Sequence, residues 1–307
     1  AVTDFIQMII LVLGLAVIAV FAGNMAGGAG KVIEFAASKD LFRFWPEPSF
    51  KDMVFFLAAA LTMMLGSIPQ QDVFQRVMSA DSVKSSTRGP VIGGVCYILF
   101  AFVPMFLVAS ALLIMPEATA TLLKEDPQRV LPTLVLEKMP FVMQVLFFGA
   151  LLSAIKSTAS ATLLAPSVTF TENIWRQFRP AGSDKSNLMT MRISVLVFSV
   201  CVLAYAIRMQ GTPIYELVSG AYQVPLVGAF VPLVFGLYWQ RATTQGAVAA
   251  ILLGIGTWIA GLAMPWGQVF PAQLAGLLAS MTGMLVGSLA PQWLTNVRTP
   301  HRPIAVS

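Results

Sequence analysis

GALLSAIKSTASATLLAPSVTFTENIWRQ, residues 149–177, is the stretch whose reading decides the fold. It starts inside a long apolar run and carries Lys156 near the middle of that run, among Ser153, Ser157, Thr158, Ser160 and Thr162. An ammonium group at the centre of a bilayer costs about 2.5–3.5 kcal/mol on insertion scales. Hydroxyls at this density are also unusual for a helix that only meets lipid. Such a helix faces a bundle interior, an ion path or a partner carboxylate. The rest of the chain reads as scaffolding around it.

Composition sets the class. Hydrophobic residues make up 57% of the chain and charged residues 11%, with a mean hydropathy of +0.79. Repeated apolar runs of about 20 residues make this an all-α polytopic membrane protein embedded in a lipid bilayer. The net charge of +5 does not point to nucleic acid, because the basic residues gather in alternate loops, which is a topology signal. Cys96 and Cys201 lie in apolar runs and read as small core residues, with no disulfide or zinc framework. No HExxH, GxSxG or carboxylate pair at catalytic spacing sits in a span, and the one histidine is His301 in the tail, so the chain does not read as an enzyme. The first residue is Ala1 and an apolar run begins almost at once. The expectation is a sequence that begins in the middle of a larger protein.

The whole of 1–307 reads as one transmembrane domain with eight spans, near 4–22, 53–78, 90–115, 141–166, 188–209, 214–239, 244–264 and 271–289. The second is interrupted at Gly66-Ser67-Ile68-Pro69 and then continues in polar residues, Gln70, Gln71 and Asp72. Pro69 cannot donate a helical hydrogen bond, and Ile68 before it is biased away from helix. A span broken in this way is the mark of a discontinuous transporter helix; the plainer alternative is a Pro-kinked span that ends early. The short loops at 76–88, 173–192 and 239–243 are basic. That places both ends of the chain on the cytoplasmic side of the cell (inner or plasma) membrane.

Several motifs, in order, resemble one family. AVTDFIQ (1–7) is similar to the WTDxxQ entry of the fifth core helix of the sodium:solute symporter family. GSIPQQDVFQRVMSA (66–80) resembles its broken sixth helix, and SAIKSTASATLLAPSVTFTENI (153–174) its eighth. MRISVLVFS, YELVSGAYQVPLVGAFVPLVFGLYW and TTQGAVAAI extend the resemblance to about residue 250. IPxQxxFQRV and DPQRVLP are similar to the choline-transporter-like branch in particular. The resemblance implies a LeuT-type inverted-repeat fold with the first repeat mostly missing. Substrate and sodium sites would then form between repeats near the bilayer midplane, and the missing N-terminal helices would be needed to complete them.

The same resemblance implies a sodium site made by the Ala154 carbonyl and the hydroxyls of Ser157 and Thr158. On the residues alone, those hydroxyls equally well bond back to their own helix or to a neighbour. Lys156 is a departure, since members commonly carry an apolar residue before the hydroxyl pair. Helical spacing sets Lys156 about 100° around the axis from Ser157 and about 200° from Thr158. It either takes part in coupling or forms a structural pair with Asp4 or Asp72. The broken helix supplies substrate candidates Gly66, Ser67, Gln70 and Gln71, and Tyr222 is a candidate gate that also reads as a helix-packing residue. The function implied is a secondary active transporter moving a small polar or cationic organic solute with sodium or protons by alternating access. The alternative is a non-transporting, symporter-like sensor or scaffold. No cofactor is implied beyond a sodium ion.

Overall fold

The computed structural model describes residues 2–179 and 183–294, without the side chains of Val2, Thr3, Asp4 and Asp72. The expected carboxylate partners Asp4 and Asp72, and His301 in the tail, therefore lie outside the described residues. All regular structure among the described residues is helical. The chain divides into two compact units, 1–43 with 75–214, and 44–74 with 215–307.

The first unit begins with α1 (Val2–Met25) and α2 (Ala29–Ser38). Gly27 and Gly28 turn the chain between them with φ of 96° and 105°, values that favour glycine. After α3 (Phe50–Gly66), which belongs to the second unit, α4 (Gln71–Met78) leads into α5 (Val83–Ile114). The short helices α6 (Pro116–Glu125) and α7 (Val130–Lys138) follow. Next come α8 (Phe141–Phe178) and α9 (Asp184–Arg208). Leu15 and Ile18 of α1, Leu107 and Ala111 of α5, Leu134 and Val135 of α7 and Phe147 of α8 form its core. The second unit adds α10 (Ile214–Tyr238), α11 (Thr244–Ala263) and α12 (Ala272–Leu289) to α3. Leu226, Val231, Ala250, Leu277 and Met284 form its core. A Cβ on Gly283 would lie 2.7 Å from the Ala249 carbonyl oxygen. Small residues are what let two membrane helices approach this closely.

Among the described residues, seven helices are long and apolar enough to cross a membrane. The difference from eight lies in the broken span, where α3 has 17 residues by itself, about 25 Å at 1.5 Å per residue and short of a 30 Å hydrocarbon layer. Several helices also start earlier than their apolar runs, because a hydroxyl caps them. Ser82 accepts the Ser85 N–H at 3.2 Å, so α5 begins at Val83 rather than Pro90. Ser183 does the same for α9 and Ser49 for α3. The two cysteines are exposed, not core residues as their apolar context suggested. In a membrane protein the outward face is as apolar as the interior, so hydropathy does not separate the two.

A titrating group, Asp81, stands beside the cap of α5. Hydrogen bonds from the Ser85 and then the Ser82 side chains hold the Asp81 carboxyl below the ordinary carboxylate range. A lowered folded-state pKa contributes stability that is present above the unfolded value, about 3.9, and is lost as pH falls through the folded value. Asp81→Asn is expected to flatten the acid limb of thermal stability below about pH 4 and leave the neutral value within a degree or so. Scanning the unfolding temperature from pH 7 to pH 3 checks it; an unchanged acid limb refutes it.

Candidate functional site

The two units carry different parts of the chemistry. In the first, α8 runs unbroken for 38 residues, well beyond the Pro166 end that hydropathy indicates. Pro166 lacks an N–H and crowds the carbonyl four residues back. The helix widens into a π turn at Phe170–Trp175 soon after it, and so carries on. The same pairing recurs in α10, where Pro225 is followed by a π turn at Leu226–Phe230. Sequence reading missed both turns: a proline alone does not mark them, because α5 carries Pro90 and Pro104 with no π turn.

Ser157 apart, the side-chain hydroxyls along α8 fall into two groups. Thr162, Ser167, Thr169 and Thr171 bond back to carbonyls of their own helix at 2.7–3.1 Å. Ser153, Thr158 and Ser160 have no hydrogen-bond partner among the described residues. Ser153, Ala154, Ser157, Thr158 and Ser160 are half-buried or exposed, and their spacing gathers them on one broad face. Lys156 is exposed on the flank of that face nearer Ser153 and Ser160, and away from Ala154 and Thr158. The ion pair described on this helix is Glu172 with Arg176, one i,i+4 step apart, and does not involve Lys156.

In the second unit the helix break is a real interruption. α3 ends at Gly66 and α4 starts at Gln71. Between them the Ile68 N–H reaches Leu65 O at 3.2 Å and the Gln70 N–H reaches Ser67 O at 3.3 Å. Ser67 donates to Met64 O at 3.1 Å. Gly66 is buried. A Cβ there would overlap the Tyr222 carbonyl oxygen and lie 3.2 Å from the carbonyl carbon. The structure therefore brings Gly66 and Tyr222 together, with the contact made by the Tyr222 backbone. Ser67 and Gln70 are half-buried and Gln71 is exposed. Beside Tyr222, Gln223 accepts the Trp258 indole N–H at 2.8 Å. Gln223, Gln268, Gln273 and Phe55 line a cavity of about 410 Å³ that has no charged side chain in its wall. It suits a solute that offers hydrogen-bonding groups. Gln268 and Gln273 were not anticipated from the sequence, which gives them no motif.

A model of the sodium:solute symporter family matches residues 1–254. The chain is 33% identical over 213 residues to a sodium/proline symporter of Haemophilus influenzae, covering 68% of this chain and 41% of that protein. It is 29% identical over 285 residues to a high-affinity proline transporter of Bacillus subtilis, covering 90% and 59%. It is 24% identical over 297 residues to a high-affinity choline transporter of Caenorhabditis elegans, covering 83% and 51%. The chain thus spans roughly half the length of these curated relatives, from 41% to 59%. A solved Na+-coupled sialic acid symporter, in a substrate-bound outward-open state, matches with a TM-score of 0.68 at 22% identity, over 94% of this chain and 62% of that one. The architecture is that of an all-α, LeuT-type, multi-pass membrane protein. With most of its length matched by the family model, the chain belongs to the sodium:solute symporter family.

Proposed function

We propose that the protein built on this chain is a secondary active transporter that couples uptake of a small polar or cationic organic solute to sodium. The observation that carries this reading is the interrupted helix α3–α4, seated through Gly66 on the Tyr222 carbonyl. An interruption frees backbone polar groups at membrane depth, where they are tolerated only if they line a cavity or bind something. Gly66, Ser67, Gln70, Gln71 and Tyr222 are the substrate candidates. The Ala154 carbonyl with the Ser157 and Thr158 hydroxyls is the sodium candidate, since a hard cation takes neutral oxygen ligands. Family relatives named for proline and choline transport support a small solute. Both ends of the chain lie on the cytoplasmic side of the cell membrane, on the charge pattern of the short loops.

Lys156 flanks the ion face, so its charge weakens sodium binding without filling the site. At an effective dielectric constant near 20 and a separation of about 8 Å, the repulsion is about 2 kcal/mol before any counter-charge is considered. Lys156→Met is expected to tighten sodium binding about tenfold and leave the requirement for sodium in place.

The test is thermal stabilisation of the complete protein by sodium against potassium, together with sodium-driven uptake of proline and choline in vesicles. Sodium-specific stabilisation with solute accumulation is the expected result. Stabilisation by neither ion and no accumulation would favour the sensor or scaffold reading. Sodium dependence that emerges only in Lys156→Met would mean that the lysine occupies the ion's place.

A further inference from the structure

Where α8 widens into its π turn, it meets α9 across a cavity of about 340 Å³. Aromatic rings form its walls: Phe170 lies 6.4 Å from Trp175 and 6.2 Å from Phe198, centroid to centroid. Ile193 and Val197 close the α9 side, with Thr190 at one edge. At its floor the Thr171 hydroxyl meets the Ser194 hydroxyl at 3.5 Å and donates to Ser167 O at 2.8 Å, so the polar atoms there are already satisfied. The space left is apolar, and its size admits a stretch of one hydrocarbon chain and no more.

The rim is cationic. The Arg179 guanidinium lies over the Trp175 ring, 5.9 Å from its centroid, which fixes a positive charge on the wall of the cavity. Arg176 is paired with Glu172. Lys185, in the first turn of α9, is exposed but stands seven residues before Arg192, so it faces the same way and adds only to the surface field. Arg192 is also exposed, but helical spacing from Thr190 and Ile193 turns it off the far side of α9, where it adds only to the surface field. The segment 173–192 is one of the basic short loops that mark the cytoplasmic face, which is where anionic lipid is concentrated.

We propose that this cavity and its rim bind one anionic phospholipid, with part of an acyl chain between Phe170, Trp175 and Phe198 and the phosphate at Arg179. The headgroup has to supply the selectivity. An acyl chain gains little by leaving a bilayer whose interior is already apolar, whereas an anionic phosphate gains a charge-assisted contact with a guanidinium already held in place. Arg179 also draws on the stacking face of Trp175, a residue type that settles at the headgroup level.

The test uses the complete protein in nanodiscs of phosphatidylcholine with phosphatidylglycerol in equal parts. The lipid that stays bound after transfer to detergent is identified by native mass spectrometry. Phosphatidylglycerol is expected to be retained over phosphatidylcholine on the order of tenfold. Arg179→Gln, at an exposed position, should reduce that preference to about twofold or less. Val197→Phe, which fills the cavity, should remove the retained lipid of either kind, and its own thermal transition shows whether it is folded. Equal retention of both lipids by the wild type would overturn the proposal. So would a preference that survives Arg179→Gln, or lipid retained unchanged by a folded Val197→Phe. Sodium stabilisation measured on the same samples reports separately on transport, so either idea can fail without the other.

Discussion

Gly66→Ala is expected to lower the unfolding temperature by several degrees and to reduce sodium-driven uptake at least tenfold. The cause is geometric. The added Cβ would overlap the Tyr222 carbonyl oxygen and sit 3.2 and 3.3 Å from its carbonyl carbon and Cβ. The obstacle is backbone, which has no rotamer to change, so α3 or α10 has to shift bodily. Overpacking of this kind costs about 1–3 kcal/mol. Because Gly66 is the last residue of α3, the shift falls on the break and displaces Ser67 and Gln70 with it. Gly93→Ala on α5 is the control, since nothing lies within 4 Å of a Cβ placed there. In that variant alanine should be neutral or slightly stabilising, by helix propensity. If Gly66→Ala behaves like Gly93→Ala in both measurements, the seat on Tyr222 is not holding the break in place.

That contact shows how far the sequence could be read. The break itself was legible, because Gly66-Ser67-Ile68-Pro69 in an apolar run leaves the helix no hydrogen bond to continue on. Its partner was not. Tyr222 drew attention through its ring, as a gate, whereas the structure presses its carbonyl against a glycine 156 residues away, and no local pattern encodes which backbone will approach. Helix starts were misplaced for a related reason. Hydropathy marks where lipid begins, whereas Ser49, Ser82 and Ser183 mark where the first orphan N–H groups find an acceptor, and the two boundaries differ by up to two turns. The π turns after Pro166 and Pro225 depend on how a helix absorbs a missing donor. Proline alone does not decide it, since α5 stays a continuous α-helix through Pro104. Angular position around α8 was legible throughout, since it depends only on residue spacing.

Ser157→Ala with Thr158→Ala should abolish sodium stabilisation of the complete protein while leaving its sodium-free unfolding temperature nearly unchanged. Hydroxyls that bond back to their own helix, such as Thr162 to Thr158 O at 2.9 Å, can be lost without affecting an ion. Thr158 has no such partner among the described residues and is exposed on the face it shares with Ala154 and Ser157. A contact between a charged group and a neutral polar atom contributes about 1.5–3 kcal/mol. Two together amount to about 3–6 kcal/mol, or more than a hundredfold in sodium affinity. A wild type that gains about 2.7 kcal/mol at a sodium concentration of 100 Kd would then gain only a few tenths at that concentration. Thr162→Ala is the matched control: it removes a hydroxyl from the same helix and should keep the sodium effect. Should the double variant keep its full sodium stabilisation, the ion binds elsewhere. Should Thr162→Ala lose it as well, the hydroxyls act by shaping α8, and direct ligation by Ser157 and Thr158 is wrong.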